Sequence, residues 1–444
     1  MDPSIRISPR ARSILPWIAI PAISFAWFWF FRSQEYSGGD SEQYTREVSQ
    51  GLWFRKRQML SFALLRLAYI ATHAAWGWTA ELAFSLVSCL AGAAAMLIVW
   101  RMFAGRRNAA VSFVVVASGG FAAIFHGHIE TYALPLAALF LHLLAVQRSS
   151  ENRWPIWTLP ATFLLAMLLH LVALFALPAL AAVTALEIRR RGIGARDLAV
   201  SGACALGGIA FWIALQWAKI GHGELEGGGL IHPMSSLAMR PWLVFSQDEF
   251  VRAKAGFVWV NAGMTFALMP WVYAARVNDR ATRHELLYFL CFVNFFLVWS
   301  PFAGERDWDL FSFPWAVGTV TLARWLLELR ARAMWLGLAL GSNFFLWIAR
   351  PFHFAHLGER DHGTIVFENR SGQEILRALI DDRVPLEREN RYLPAGGHSV
   401  TLLVRGGKPI RRIVRIEPGR TYEMSLEEDG VRIGLEGGGG EGTE

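Results

Sequence analysis

LPWIAIPAISFAWFWFF (Leu15–Phe31) is followed, after RSQEY (32–36), by SGGDSEQY (37–44). The first stretch carries no charge and has the length and character of a membrane span. The second sets an acid, Asp40, on two glycines where such a span would leave the bilayer. Arg6, Arg10 and Arg12 precede the apolar block as in a signal peptide. The block is long and aromatic, however, and no small-residue cleavage site follows, so it reads as an uncleaved first span.

The rest of the chain has the same character. Of 444 residues 54% are hydrophobic, with 20 Trp and 31 Phe, and the mean hydropathy is +0.32, which places the protein in a membrane. Lys and Arg number 43 against 36 Asp and Glu, a net charge of +7. The basic residues fall between apolar blocks, so membrane lipids rather than nucleic acid are the expected partners. Cys89, Cys204 and Cys291 lie inside apolar stretches and read as core residues.

Apolar runs predict helices at 14–31, 81–100, 109–125, 130–146, 156–170, 172–187, 198–217, 256–275, 285–300, 310–326 and 333–350, with a split near His170. An amino end inside the cell then puts RMFAGRR (101–107), QRSSENR (147–153), EIRRRGIGAR (187–196), RVNDRATRHE (276–285) and RWLLELRAR (324–332) in the cytoplasm. All five are rich in Arg, as the positive-inside rule requires. The opposite side receives isolated acids and histidines. In the first outer loop, Arg55, Lys56, Arg57 and Arg66 amid Leu, Phe and Trp predict a helix lying along the interface.

After Arg350 the composition shifts to short alternating runs divided by PAGG, RGGK and EPGR turns. The expected fold class is therefore an all-α polytopic membrane protein of about eleven spans with a small C-terminal all-β sandwich. The expected domains are 1–352, 353–434 and a flexible tail, 435–444.

Three outer segments carry chemistry. Asp40 reads, by itself, as the N-cap of a helix starting at Ser41; two preceding glycines also allow close approach to a ligand. HGHIETY holds His126, His128, Glu130 and Tyr132 where one span ends and the next begins. An acid at that depth is costly unless it faces a polar cavity or a partner. The His-x-His-x-Glu spacing on an extended segment would aim three donors to one face, which makes a divalent metal ion a possible cofactor. GERDWDLF groups Glu305, Arg306, Asp307 and Asp309, able to hold a phosphate through the guanidinium and to orient hydroxyls or a cation through the carboxylates. His170, alone among aliphatic residues, is a further candidate contact for a phosphate or sugar.

The sequence has no GxxxxGK[ST], HExxH or GxSxG, so ATP hydrolysis, zinc proteolysis and serine acyl transfer find no support. Two other readings compete with an enzyme: a polytopic lipid or solute transporter or flippase, which should show internal repeats and ionisable groups near the midplane, and a scaffold anchored by its spans.

The order of these features resembles the C-class integral membrane glycosyltransferases, the group of protein O-mannosyltransferases, the lipid A aminoarabinose transferase and oligosaccharyltransferase subunits. GGDSEQY and LWFRKRQMLSFALL match the first-loop acid followed by helices along the membrane, and HGHIETYALPL is similar to the Glu-x-Tyr at the start of the fourth span. The paired short helices around His170 also agree, so the resemblance covers about the first 350 residues. It implies transfer of a sugar from a polyprenyl-phosphate-linked donor on the extracytoplasmic side of a bacterial cytoplasmic membrane, to a lipid, glycan or protein acceptor. Asp40 would be the base, and Glu130 and His128 would line the sugar pocket, with Tyr132 and His170 as further substrate-binding candidates. The WWDxG signature and large periplasmic domain of oligosaccharyltransferases are missing. LPAGGHSVTL and VRIEPGRTYEMSL resemble PEGA-type extracellular modules.

Overall fold

The computed structural model of the chain describes residues 9–32, 41–55, 58–106, 108–192, 194–217, 279–298, 312–328, 337, 341, 362–380, 384–385, 389–394, 396–405, 407, 409–417, 420–427 and 430–435. The chain divides into two compact units, Met1–Ile348 and Ala349–Glu444.

The first unit is helical. Its described elements are α1 (Pro9–Phe30), α2 (Ser41–Ser49), α3 (Met59–Trp76), α4 (Ala80–Phe103), α5 (Ala109–Ala117), a 3-10 turn at Gly120–Phe125, α6 (Ala133–Ser150), α7 (Thr158–Leu169), a second 3-10 turn at Leu171–Ala176, α8 (Leu177–Arg191), α9 (Ala195–Trp217), α10 (Arg280–Val298) and α11 (Phe313–Glu328). α4 is central, packing on α1, α3, α5 and α6, while α6 also packs on α7, and α10 on α11. Met59–Trp76, Ala80–Phe103, Ala133–Ser150 and Leu171–Arg191 are long and apolar enough to cross a membrane.

Two expectations change. The helix placed at 109–125 is instead α5 and a separate 3-10 turn, broken at Ser118 and Gly119, because a Gly pair is a poor helix interior and favours a change of path. Arg55, read as part of a basic run on an interfacial helix, precedes α3 and is buried against Glu47; likewise Arg66 donates through Nη1 to the Val48 carbonyl. The split at His170 is observed: the residue is extended (φ −159, ψ 131) and ends α7. The runs at 256–275 and 333–350 lie outside the described residues, apart from 337 and 341.

The Arg-rich segments meet at one end of this unit. Arg106 and Arg148 each reach Glu151 at 3.1 Å, and Arg190 bonds Glu187 and Asn152. Arg191 bonds Ser149, His284 lies 3.0 Å from Ser150, and Arg324 reaches Gln147 at 2.8 Å and Glu285 at 2.9 Å. All these groups cluster at the C-terminal ends of α4, α6, α8 and α11 and the N-terminal end of α10. α4 runs from that end to the other over about 36 Å at 1.5 Å per residue, comparable with a bilayer's hydrocarbon core.

The second unit has two four-stranded sheets, ordered β4-β1-β7-β8 and β3-β2-β5-β6. Its strands are β1 (His362–Asn369), β2 (Ile375–Ile380), β3 (Val384–Pro385), β4 (Glu389–Pro394), β5 (Gly396–Val404), β6 (Ile410–Ile416), β7 (Thr421–Glu427) and β8 (Gly430–Leu435). β1 and β7 pair in parallel, and every other pairing is antiparallel. Alternate residues of both sheets, Ile365, Phe367, Tyr422, Met424 and Leu426 against Ile380, Val400, Leu402, Val404, Val414 and Ile416, form one buried core between them. Each such side chain contributes about 1.5–3 kcal/mol when fully buried.

Candidate active site

At the end of the helical unit away from the Arg-rich cluster, three segments far apart in sequence come together. α2 is amphipathic: Tyr44 and Val48 pack with Phe62, Leu65, Phe84 and Ile129, which seats the helix on α3, α4 and the segment before α6. An ion pair fixes its far end. Arg55 Nη2 donates to Glu47 Oε1 at 3.0 Å, and its Nε lies 2.8 Å from Oε2, both side chains at most 10% exposed. The guanidinium also sits 4.5 Å from the Tyr44 ring centroid, a cation–π geometry.

With α2 fixed, its first residue reaches Glu130. Ser41 Oγ donates to Glu130 Oε1 at 3.2 Å, and both residues are buried. Asp40, one residue earlier in the chain, lies outside the described residues, as do Glu305, Arg306, Asp307 and Asp309.

The segment bearing Glu130 is a run of turns and bends from 126 to 131, not the extended piece that a His-x-His-x-Glu metal face requires. α4 holds it from beneath: Ser88 Oγ donates to the Ile124 carbonyl at 2.6 Å and Ser85 Oγ to the Gly127 carbonyl at 3.0 Å. Gly127 has φ +70, and an added Cβ would lie 2.7 Å from Arg32 Cβ, so this turn needs glycine for both conformation and space. His126 turns back, with Nδ1 3.2 Å from the Ala122 carbonyl and its ring edge-on to Phe28. His128, Glu130 and Thr131 are buried. Among the described residues no three His, Cys, Asp or Glu side chains are gathered as a metal ion would need.

His170 completes the group. Its Nδ1 accepts from the Val172 amide at 3.0 Å. Its Nε2 lies 3.5 Å from Gln58 Nε2, which donates to the Tyr44 hydroxyl at 2.9 Å. The Tyr132 ring lies 5.0 Å from the imidazole. Ser61, on α3, donates to the Leu169 carbonyl at 2.8 Å, closing the backbone left open where α7 stops. Two buried polar atoms here, Gln58 Oε1 and Thr131 Oγ1, have no hydrogen-bond partner among the described residues.

The structure thus brings Glu130, Tyr132 and His170 to one end of the helical unit, with His128 buried beside them. It adds Ser41, Tyr44, Gln58 and Thr131, which the sequence did not single out. Ser41 and Tyr44 stood within GGDSEQY, and their spacing on one helix face was a readable signal. Gln58 had none.

No protein-family model matches the chain, and no curated protein matches it. Among solved structures it is similar to ArnT from Cupriavidus metallidurans bound to undecaprenyl phosphate (13% identity, TM-score 0.48, 79% of this chain and 64% of that one). Apo ArnT from the same organism gives 15% identity, a TM-score of 0.45, and coverage of 74% and 62%. The archaeal oligosaccharyltransferase AglB from Archaeoglobus fulgidus, in complex with an inhibitory peptide and a dolichol-phosphate, gives 14%, 0.40, 76% and 56%. Both proteins are of the C class that the sequence resembles. The chain spans less than two thirds of each of those chains. At these values the likeness assigns no role to any residue, and the functional reading rests on the site.

Proposed function

We propose that this protein transfers a sugar from a polyprenyl-phosphate-linked donor to an acceptor hydroxyl on a lipid, glycan or protein, at the extracytoplasmic side of a bacterial cytoplasmic membrane. The observation that carries the reading is the buried Ser41–Glu130 hydrogen bond. It ties the residue after Asp40 to the acid at the head of α6, beside His170, Tyr132 and two orphan polar atoms. A buried polar cluster of this kind, at the end of a membrane unit opposite its arginine-rich end, suits a hydrophilic acceptor meeting a donor whose tail stays in lipid.

In the proposed step the acceptor oxygen attacks the anomeric carbon as its proton passes to the Asp40 carboxylate. The carbon–oxygen bond to the lipid phosphate breaks, and the phosphate leaves with the electron pair. A carboxylate within hydrogen-bond reach is what such a general base requires. Glu130, His128, Tyr132 and His170 bind the sugar, while Glu305, Arg306, Asp307 and Asp309 contact the substrate, with Arg306 neutralising the departing phosphate. One displacement inverts the anomeric centre. In this reading the helical unit is of C-class type, with its amino end and arginine-rich end in the cytoplasm and the β unit outside.

The test is incubation of the purified protein with undecaprenyl- and dolichyl-phosphate sugars and an acceptor panel, followed by mass spectrometry and assignment of the anomeric configuration. Asp40→Asn and Glu130→Gln proteins that express normally and lose transfer support the reading. Undiminished transfer by Asp40→Asn, or retention at the sugar carbon, overturns the assigned mechanism.

A further inference from the structure

The β unit carries a surface that the proposed reaction does not use. β6 is the end strand of its sheet, and along it Val414 and Ile416 turn into the core while Arg411, Ile413 and Arg415 alternate onto the outer face. Ile413 is 77% exposed. One exposed isoleucine is ordinary on a soluble surface; here its same-face neighbours on both sides, about 7 Å away, are arginines. Arg412 is exposed as well.

The register extends this face across the sheet. Ser399 stands opposite Ile413, Thr401 opposite Arg411 and Gly397 opposite Arg415, and Leu403 and Leu379 continue the same face through the β2 pairing. Carboxylates stand only at the ends of this face among the described residues: Glu417, exposed, two residues past Arg415, and Glu374, paired with Arg405 at 2.5 Å at the end of β5. The other sheet differs: its outer face bears the exposed Glu368 and Glu423, on its two central strands, alongside Arg432. Arg415 has no ion-pair partner among the described residues, whereas Arg370 on the acidic side is paired with Glu368 at 2.7 Å. The middle of one face is therefore two arginines about an isoleucine, and the middle of the opposite face carries carboxylates.

We propose that the outer face along β6 docks on an anionic phospholipid bilayer, with Arg411 and Arg415 at the lipid phosphates and Ile413 inserted between them. Charge complementarity selects the surface. The exposed isoleucine between arginines favours lipid over a soluble acidic polymer, which offers it no apolar region. The carboxylates on the other sheet orient the unit by repulsion, and the helical unit of the same chain keeps a bilayer at hand. Each arginine near an anionic surface strengthens binding about fivefold at low ionic strength, so two give about twenty-five-fold, weakened as salt rises.

The test uses the full chain in nanodiscs of phosphatidylcholine, with or without phosphatidylglycerol. A photoreactive phenylalanine analogue replaces Ile413 or, as a control on the other sheet, Glu423. We expect lipid adducts at position 413 in anionic discs, at least about fivefold above neutral discs and above position 423, falling as salt is raised. The Arg411→Glu, Arg415→Glu variant loses them. The salt titration on unaltered arginines keeps the result interpretable if that variant misfolds. Equal adduct yield in neutral and anionic discs, or at 413 and 423, overturns the proposal. So does transfer of the adduct from lipid to an added soluble acidic polysaccharide, which would make a glycan the occupant.

Discussion

The Glu47–Arg55 pair is the clearest lever on the candidate site, because it fixes the far end of the nine-residue helix whose first residue reaches Glu130. Arg55→Met keeps most of the aliphatic stem and removes the cation, leaving Glu47 buried without its main counter-charge. Breaking a buried pair from one side costs about 3–5 kcal/mol. Glu47 makes further interactions, which places the cost at the lower end, about 3 kcal/mol, of which loss of the cation–π contact over Tyr44 is about 0.5–1 kcal/mol. A change of 3 kcal/mol is about a hundredfold in the opening equilibrium of α2. Replacing both partners, Glu47→Leu with Arg55→Met, removes both buried charges, and such exchanges are often neutral. Hydrogen exchange of the α2 amides in lipid nanodiscs reads the effect directly. The single variant should accelerate exchange about a hundredfold and the double variant should recover most of the protection. Acceleration below about threefold in Arg55→Met, or a double variant as unprotected as the single, would refute the account of how α2 is held.

Ser41→Ala removes a hydrogen bond to a carboxylate, about 1.5 kcal/mol where both groups keep other interactions; the melting temperature should fall by a few degrees and kcat/KM for transfer should fall with it, and an unaffected rate would separate Ser41 from the site. Gly127→Ala must adopt a left-handed backbone and press a methyl against Arg32 Cβ, together about 2–4 kcal/mol, so the melting temperature in detergent should drop by several degrees, whereas an unchanged melt would mean the turn relaxes freely. Ser88→Ala leaves the buried Ile124 carbonyl without its 2.6 Å donor and should cost about 1–3 kcal/mol, read in the same melts. Glu151, just beyond α6, is pushed up by burial but held below its ordinary value of 4.5 by hydrogen bonds from Gln147 and Arg106 and the charges of Arg148 and Arg106. A depressed carboxylate stabilises the fold above its unfolded pKa and loses that contribution as the pH falls through the folded one. Stability should therefore decline below pH 4.5, with a shallower decline in Glu151→Gln; identical pH profiles would remove Glu151 from the account.

Hydropathy made the long helices legible. α4 and α6 lie within a few residues of the predicted 81–100 and 130–146, because burial in lipid or protein demands uninterrupted apolar sequence. The break at His170 was legible too: a 32-residue apolar run cannot stay one span, and a polar residue near its middle marks the division. Windowed hydropathy missed the break at Ser118 and Gly119, since small residues are neutral on such a scale while their effect is on backbone freedom. It also misjudged Arg55. From the sequence that residue belongs to a basic patch; its partner, Glu47, is eight positions back across a bend, and no periodicity announces a pairing made by the path of a loop. Gln58 was hidden for the same reason, its partners Tyr44 and His170 lying 14 and 112 positions away. In the β unit the alternation of Val414 and Ile416 with Arg411, Ile413 and Arg415 wrote both the core and the outer face into seven residues.

The irregular backbone at the candidate site is satisfied group by group. Buried backbone amides and carbonyls that leave a helix need other partners. Here the carbonyls freed by the two breaks are met one by one: Ile124 by Ser88, Gly127 by Ser85, and Leu169 by Ser61, while the Val172 amide is met by His170. Continuous helices would have met these groups with no side chain spent. Four polar side chains thus maintain a departure from helix whose result is to gather Glu130, Tyr132 and His170 below α2, together with two buried polar atoms that nothing described satisfies. Under the proposed function, that departure is what brings the sugar-binding side chains together.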